Sequence, residues 1–275
     1  MSASEKQMAE LMGNKYRKQF LQKVVDLIPK DAARILDIGC GVGLLRWIIL
    51  EQFPQTSVIG MDMSWYMLTH QVRTPNMNYL SSVQGIAPNI PFKENSFDVV
   101  VAVQFLSEVL SFSGKKGFFD TIKQVKRVLK DGGLLVVLDH QSPDEGNIEL
   151  KLPNSMIKKL RQFQTLFQVR DIEFEVLPNS RIRITLCDLY DFLTKIWSFD
   201  TALEDEEMQE SHTPFTGEEL SKMLTQKGFS VNFVGGVVDF EDYLKRHEIG
   251  YQIKGTLPNR FLVVSAKSSS FCNSQ

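Results

Sequence analysis

The sequence predicts an α/β protein built on a doubly wound, mostly parallel sheet with helices on both faces. Three observations predict it. Short runs such as Phe97–Gln104 (FDVVVAVQ) and Leu134–Asp139 are apolar almost throughout, as strands buried on both faces must be. Such runs alternate with helix-length stretches, the order that gives parallel strands joined by crossover helices. A cluster of glycines, Gly39, Gly41 and Gly43, falls between the first strand and its helix. The end of a central strand is where doubly wound sheets take their ligands.

The elements follow in order. Apolar residues between Met8 and Ile28 recur at helical spacing (Leu11, Tyr16, Phe20, Leu21, Val24, Val25, Leu27, Ile28), and Pro29 stops the pattern. Arg34–Ile38 is a short strand and Leu44–Phe53 a helix closed by Pro54. Ser57–Asp62 is a strand, after which Ser64 caps a helix over Trp65–Gln71. Met77–Val83 is a weak strand, Phe97–Gln104 a strong one and Lys116–Lys130 a helix. Asp131, Gly132 and Gly133 make a turn before the strand Leu134–Asp139. The alternation then breaks. Residues 141–211 hold helical patterns (Met156–Phe167, Leu186–Phe199), a hairpin of Ile172–Leu177 with Arg181–Thr185, and the acidic run Glu204–Glu210. Thr216 and Glu219 form a capping box for a helix that ends at Gly228, and the last strands are Phe229–Val234 and Phe261–Ala266. The expected organisation is a core of 1–140 and 212–267 with an N-terminal helical lid, an inserted cap of 141–211, and a tail of 268–275.

Composition bounds the function. The 275 residues are 43% hydrophobic and 23% charged, with a formal net charge of −2, so no large positive field draws the chain to nucleic acid. No apolar run reaches the ~18–20 residues of a membrane span. The polar N-terminus does not read as a secretory signal, and Cys40, Cys187 and Cys272 lie far apart, giving neither a disulfide framework nor a metal motif. The expectation is a cytoplasmic protein with no metal, no membrane span and no nucleic acid partner; a homodimer is left open.

The chemistry lies in Asp37-Ile38-Gly39-Cys40-Gly41-Val42-Gly43. At ordinary residue frequencies, D-x-G-x-G-x-G arises by chance in such a chain on the order of once in 200. The run does not fit the dinucleotide pattern G-x-G-x-x-G, and no G-K-[ST] follows for a Walker loop. A pyrophosphate wants backbone amides at a helix start, and an acid at the strand end repels it. Asp37 is such an acid, so the loop favours a ligand with cationic or donor groups; alternatively Asp37 caps the loop's own amides. Asp62 closes the second strand and can accept from a ribose diol, or else cap the following helix. An adenosine-containing, phosphate-free, cationic ligand meets these constraints, and S-adenosylmethionine is the common one.

The stretch Leu36–Gly43 (LDIGCGVG) resembles the first motif of the class I S-adenosylmethionine-dependent methyltransferases, in the small-molecule branch that includes quinone-biosynthesis C-methyltransferases. Ile90–Asp98 (IPFKENSFD) is similar to that family's approach to the fourth strand, and Leu129–Gly133 (LKDGG) to its turn before the fifth. The resemblance implies a Rossmann-like sheet of seven strands with the last antiparallel; the break in alternation puts the expected cap between strand 5 and the following helix. It also implies a cofactor site of Asp37, Gly39, Cys40, Gly41, Gly43, Asp62, Met63, Ile86, Ala87 and Gln104. The chain departs from the branch where Gly-Asp-Ala is usual: Gly85-Ile86-Ala87 offers adenine a backbone N–H and an apolar surface but no carboxylate.

Asp139 and His140 end the fifth strand and are the candidate catalytic pair, His140 as a general base for an O or N acceptor. The plainer reading of each is a hydrogen-bonded structural residue. Tyr16 and Arg17 read first as surface residues and otherwise as residues that fold over the cofactor, and Cys40 reads as a small packing residue. The expected function is S-adenosylmethionine-dependent methyl transfer to a small-molecule O, N or C acceptor. The alternatives are a non-catalytic cofactor-binding protein and, less favoured, an RNA or protein methyltransferase.

Overall fold

The computed structural model describes residues 17–71, 81–143, 145–239, 252–253 and 259–269. Most of the expected N-terminal lid including Tyr16, the first half of the weak strand at Met77, and the tail with Cys272 lie outside the described residues.

The chain divides into two compact units. The first takes in 1–139, 217–235 and 262–275; the second takes in 140–216 and 236–261. The stretch 212–267 is thus divided between the units, with 217–235 and 262–267 in the first and 212–216 and 236–261 in the second. The excursion 236–261 goes with the second unit because its strand Gln252–Ile253 pairs with Lys151 and Leu150 there.

The described elements of the first unit begin with α1 (Arg17–Val25), followed by β1 (Arg34–Ile38), α2 (Leu44–Gln52), β2 (Ser57–Asp62), α3 (Trp65–Thr69) and β3 (Ser81–Gln84). They continue with β4 (Phe97–Val103), α4 (Leu106–Val128) and β5 (Leu129–His140). In the second unit come β6 (Asn147–Lys151), α5 (Asn154–Leu166), β7 (Phe174–Leu177), β8 (Arg181–Thr185), α6 (Leu186–Lys195) and α7 (Glu204–Glu207). The chain ends with α8 (Gly217–Gln226), β9 (Phe229–Asp239), β10 (Gln252–Ile253) and β11 (Asn259–Ser268).

The first unit is built on a seven-stranded, Rossmann-like sheet in the order β3-β2-β1-β4-β5-β11-β9. The pairs β2–β3, β1–β2, β1–β4 and β4–β5 are all parallel, and the sheet as a whole is mostly parallel with one antiparallel strand. Reversal of strand order on either side of β1 and β4 opens a crevice at their carboxyl ends. The strands are buried as their composition predicts: Ile35, Leu36, Ile38 and Val99–Ala102 have no exposed side-chain surface. Two features differ from expectation. Helix α4 starts ten residues before Lys116, at Leu106, because it is two helices joined at Gly114, whose φ of 61° breaks the helical run. Strand β5 absorbs the Asp131-Gly132-Gly133 turn, with Gly132 at φ 71°.

The second unit holds a four-stranded antiparallel sheet, β10-β6-β8-β7. The β7–β8 hairpin turns through Asn179 and Ser180, both at positive φ. Strand β6 was not expected from the sequence. One face, Ile148 and Leu150 of β6 with Ile182 and Ile184 of β8, packs in a core with Leu160 and Phe163 of α5 and Leu189, Phe192 and Leu193 of α6. Among the described residues, no helix is long and apolar enough to cross a membrane.

Candidate cofactor site

The glycine loop follows β1 and is tied to the end of β2. Gly39 N and Cys40 N donate to Met61 O at 2.8 and 3.1 Å, Gly43 N donates to Cys40 O at 2.9 Å, and Gly41 N donates to Asp62 Oδ2 at 2.8 Å. Four loop amides are therefore already engaged inside the protein, and a phosphate would have to break those bonds to use them. Gly39, Gly41 and Gly43 all have positive φ (69°, 50° and 80°), a conformation that side chains bearing a Cβ resist. At Gly39 there is also no room: a Cβ would lie 2.5 Å from the Phe105 ring.

Asp62 supports the loop from the neighbouring strand. Its Oδ2 takes the Gly41 amide and its Oδ1 takes Ser64 N at 2.9 Å. It thus caps the loop rather than the helix; Ser64 caps α3, its hydroxyl accepting from Met67 N. A carboxylate has about four acceptor positions, so each oxygen keeps one for a ligand diol. Beside it Met63 is 64% exposed and Ile86, after β3, is 54% exposed. Gly85 N donates to Asp62 O at 3.0 Å, which fixes the Ile86 segment against the end of β2. Ala87, half-buried, precedes Pro88 in a cis peptide. Gln104 follows β4 with φ 50° and donates its backbone N–H to Leu138 O at 2.7 Å. A non-glycine residue in this region is uncommon and is concentrated at functional turns.

These residues occupy the carboxyl ends of β1 to β4, as the sequence expectation requires of a site. They also fit S-adenosylmethionine chemically. There is an acid with spare acceptor capacity for a ribose, two exposed apolar side chains for adenine, and a loop whose engaged amides disfavour a phosphate.

Asp37 is only 2% exposed. Its Oδ2 lies 3.8 Å from Nε of Arg46, a fully buried side chain that sequence reasoning missed. Burial pushes the Asp37 carboxyl up to about 7; Arg46 opposes the rise and Asp62 adds to it. The buried Cys40 thiol is likewise pushed well above its ordinary value, mainly by burial and next by Asp37, so it is no nucleophile. The only sequence signal for Arg46 was a lone basic residue in the first turn of the apolar helix LLRWIILEQ.

The candidate catalytic pair divides. Asp139 is fully buried, and its Oδ2 accepts from Leu106 N at 2.9 Å and Ser107 N at 3.1 Å, holding the start of α4. His140 belongs to the second unit and is 4% exposed. Its ring stacks on His212 (4.0 Å, 6°) and tilts against Phe261 (5.0 Å). His212 is held in turn by Thr194 Oγ1 at 2.9 Å and Glu210 Oε1 at 3.0 Å. Glu207, Glu210 and His212 bring potential metal-ligand atoms within 4.8 Å of one another. Lys195 Nζ, 3.1 Å from Glu207 Oε2, already supplies a cation there.

Residues 36–137 match the methyltransferase domain family. Among curated proteins, the chain is 33% identical over 116 residues to demethylmenaquinone methyltransferase of Staphylococcus saprophyticus, covering 42% of this chain and 47% of that protein. It is 26% identical over 195 residues to sterol 24-C-methyltransferase of Aspergillus fumigatus, covering 62% and 50%. The chain spans about half the length of these relatives. Among solved structures it superposes on an S-adenosylmethionine-dependent methyltransferase of Mesorhizobium loti with TM-score 0.55, 17% identity and coverage of 90% and 96%. A Methanosarcina mazei methyltransferase of the same dependence gives TM-score 0.53, 19% identity and coverage of 90% and 97%. These likenesses bear on the fold. Residues 36–137 thus match a methyltransferase domain over less than half of the chain, and the glycine loop with its strand-end acids is similar to that of the class I S-adenosylmethionine-dependent methyltransferases.

Proposed function

We propose that the protein transfers a methyl group from S-adenosylmethionine to a small-molecule acceptor. The observation that carries this reading is Asp62: two backbone bonds hold its carboxylate at the end of β2, beside exposed Met63 and Ile86, with acceptor capacity to spare. That arrangement suits a ribose and its base. The relatives named for a demethylated quinone and a sterol carbon favour a carbon atom of an apolar molecule as acceptor.

When bound, the cofactor supplies a methyl group on a sulfonium, open to in-line displacement. The chain's part is to hold and to align. Asp62 binds the ribose, Met63 and Ile86 flank the adenine, and the loop with Asp37 receives the amino acid end. Holding two reactants in line can supply ~7–11 kcal/mol of the barrier. Methylation at carbon replaces a C–H bond by a C–C bond, so one proton has to leave the acceptor; Asp139, engaged by the amides of Leu106 and Ser107, is poorly placed to take it. His140 remains the candidate base for an acceptor that must lose a proton. The second unit, 140–216 with 236–261, is the proposed source of acceptor specificity. The working compartment is proposed to be the cytoplasm.

A second reading, cofactor binding without turnover, is favoured by Ile86, which stands where an acid is usual in the branch. Calorimetry with S-adenosylhomocysteine, followed by methyl-labelled cofactor and a metabolite extract, separates the two. Binding with labelled product supports transfer, and binding with no product from any extract supports the second reading. No binding at all, with Asp62→Ala indistinguishable from wild type, sinks both.

A further inference from the structure

We propose that Arg46 is a positioning residue of the cofactor site: its guanidinium, facing Asp37 Oδ2 at 3.8 Å, provides the counter-charge that lets that carboxylate receive a cationic ligand group. The proposal rests on the functional reading above and adds a residue to the same site.

Three strands place one residue each in a single row. Asp37 of β1 is in register with Gly60 of β2, and Gly60 with Ser82 of β3. Arg46 of α2 lies across that row. Its Nη1 donates to Ser81 O at 2.8 Å and to Ser82 Oγ at 2.9 Å, and its Nε faces Asp37 Oδ2 at 3.8 Å. Gly60 makes the room, since a Cβ there would sit 2.5 Å from Arg46 Cζ and 2.6 Å from Cys40 Sγ. Arg46 Nε, Arg46 Nη2 and Asp37 Oδ2 have no hydrogen-bond partner among the described residues.

Stability alone does not account for this arrangement. A buried ion pair is commonly matched or bettered by apolar side chains of similar volume, all the more when its geometry is loose. An aliphatic residue at 46 would fill the space under α2 without burying a charge. An aliphatic side chain could neither bond Ser81 and Ser82 nor place a positive charge beside Asp37, and it is the charge that acts on the carboxylate. The groups that bear on this carboxyl are Arg46 from α2, which favours the anion, and Asp62 from the end of β2, which opposes it; burial opposes it most. The Cys40 thiol beside them stays protonated and adds no charge. Without Arg46 both remaining influences favour the neutral acid, which has lost the charge that attracts an ammonium group.

The test reads Asp37 directly. The carboxyl carbon of Asp37, assigned with Asp37→Asn, is titrated by NMR in the ligand-free full chain for wild type, Arg46→Lys, Arg46→Gln and Arg46→Met. Affinity for S-adenosylhomocysteine is measured by calorimetry over the same pH range. The wild-type midpoint is expected near 7. In Arg46→Gln and Arg46→Met it should rise by about one unit or more, and in Arg46→Lys it should stay close to wild type. Ligand affinity in the two neutral variants should fall about tenfold on the acid side and recover toward wild type in alkali. An unchanged Asp37 titration, or an affinity loss equal at every pH, would overturn the proposal. So would a chain that folds with none of the three replacements, since Arg46 would then be a folding residue. A wild type that binds no S-adenosylhomocysteine at any pH defeats the functional reading instead, and leaves the electrostatic coupling to be judged by the NMR titration alone.

Discussion

Asp37 in the first unit and Asp191 in the second are both buried aspartates facing an arginine, and they are held in opposite ways. Asp191, fully buried, accepts from Arg170 Nη2 at 2.7 Å, from Ser211 Oγ at 2.9 Å and from the backbone of His212. Arg170 is gripped again by Asp188 at 2.9 Å. At Asp37 the arginine stands 3.8 Å away and Oδ2 has no hydrogen bond among the described residues. A saturated network fixes structure, because each member already has its partners. An unsaturated one keeps capacity that a ligand can use. The polar cluster of the second unit therefore reads as a staple, and that of the first as part of a site.

The largest expected effect breaks the staple. Asp191→Ala takes from half-buried Arg170 one of its two carboxylates and from Ser211 and the His212 backbone their acceptor, and should lower stability by about 3 kcal/mol or more. Urea unfolding followed by tryptophan fluorescence checks this, and the protein that remains folded should keep its affinity for S-adenosylhomocysteine. If Asp191→Ala were instead neutral for stability and damaging for binding, the roles assigned to the two aspartates would be reversed.

Next comes Asp62→Ala, which removes two backbone bonds and the ribose acceptor together. An affinity loss of about 3 kcal/mol, roughly a hundredfold or more, is expected by calorimetry, with a much smaller change in unfolding midpoint. Asp62→Asn should retain more affinity, since its amide oxygen can still serve one of the loop partners.

A third prediction uses pH to separate stability from binding at Asp37. Its native pKa of about 7 lies above the ordinary 3.8, so the folded chain binds this proton more tightly than the unfolded one. The stability it contributes is full below about pH 4, declines as pH rises and is gone above about 7. Binding of a cationic ligand should run the other way and improve as the acid ionises. Thermal midpoints of wild type minus Asp37→Asn should fall from about pH 5 to about pH 8 while relative affinity climbs. Parallel trends would remove the acid from the site. The smallest effect belongs to Cys40→Ala, where about 1 kcal/mol of packing is expected to be lost. The wild-type Cys40 thiol should resist alkylation in the folded protein.

Much of this was legible in the sequence. The bounds of β1 and β2 follow from their apolar runs and the glycines or acids that end them. The hairpin of β7 and β8 follows from Pro178-Asn179-Ser180, which announces its own turn. The loop and Asp62 could be found because their chemistry is local: an acid, three glycines, a strand end. Other features were not legible, for equally physical reasons. Strand β6 alternates Ile148 and Leu150 over only five residues, too short a signal to separate from loop. The placement of 236–261 depends on a two-residue pairing with β6, which leaves no trace in its own composition. Asp139 was read as a catalytic candidate because a strand-end acid looks the same in sequence whether it faces a ligand or the amides of Leu106 and Ser107. Arg46 was passed over because its partners are Asp37, Ser81 and Ser82, brought beside it only by the register of three strands.

That register ties the history of two positions together. A Cβ at position 60 would press on the guanidinium of Arg46 and on Cys40 Sγ, so the side chain at 46 would have to shift to admit it. Each single replacement meets resistance that the matching double replacement relieves, so substitutions at 46 and 60 should be strongly non-additive. Among descendants of this chain the two residues should be exchanged as a pair, and the electrostatic setting of the loop should be inherited or lost in one step.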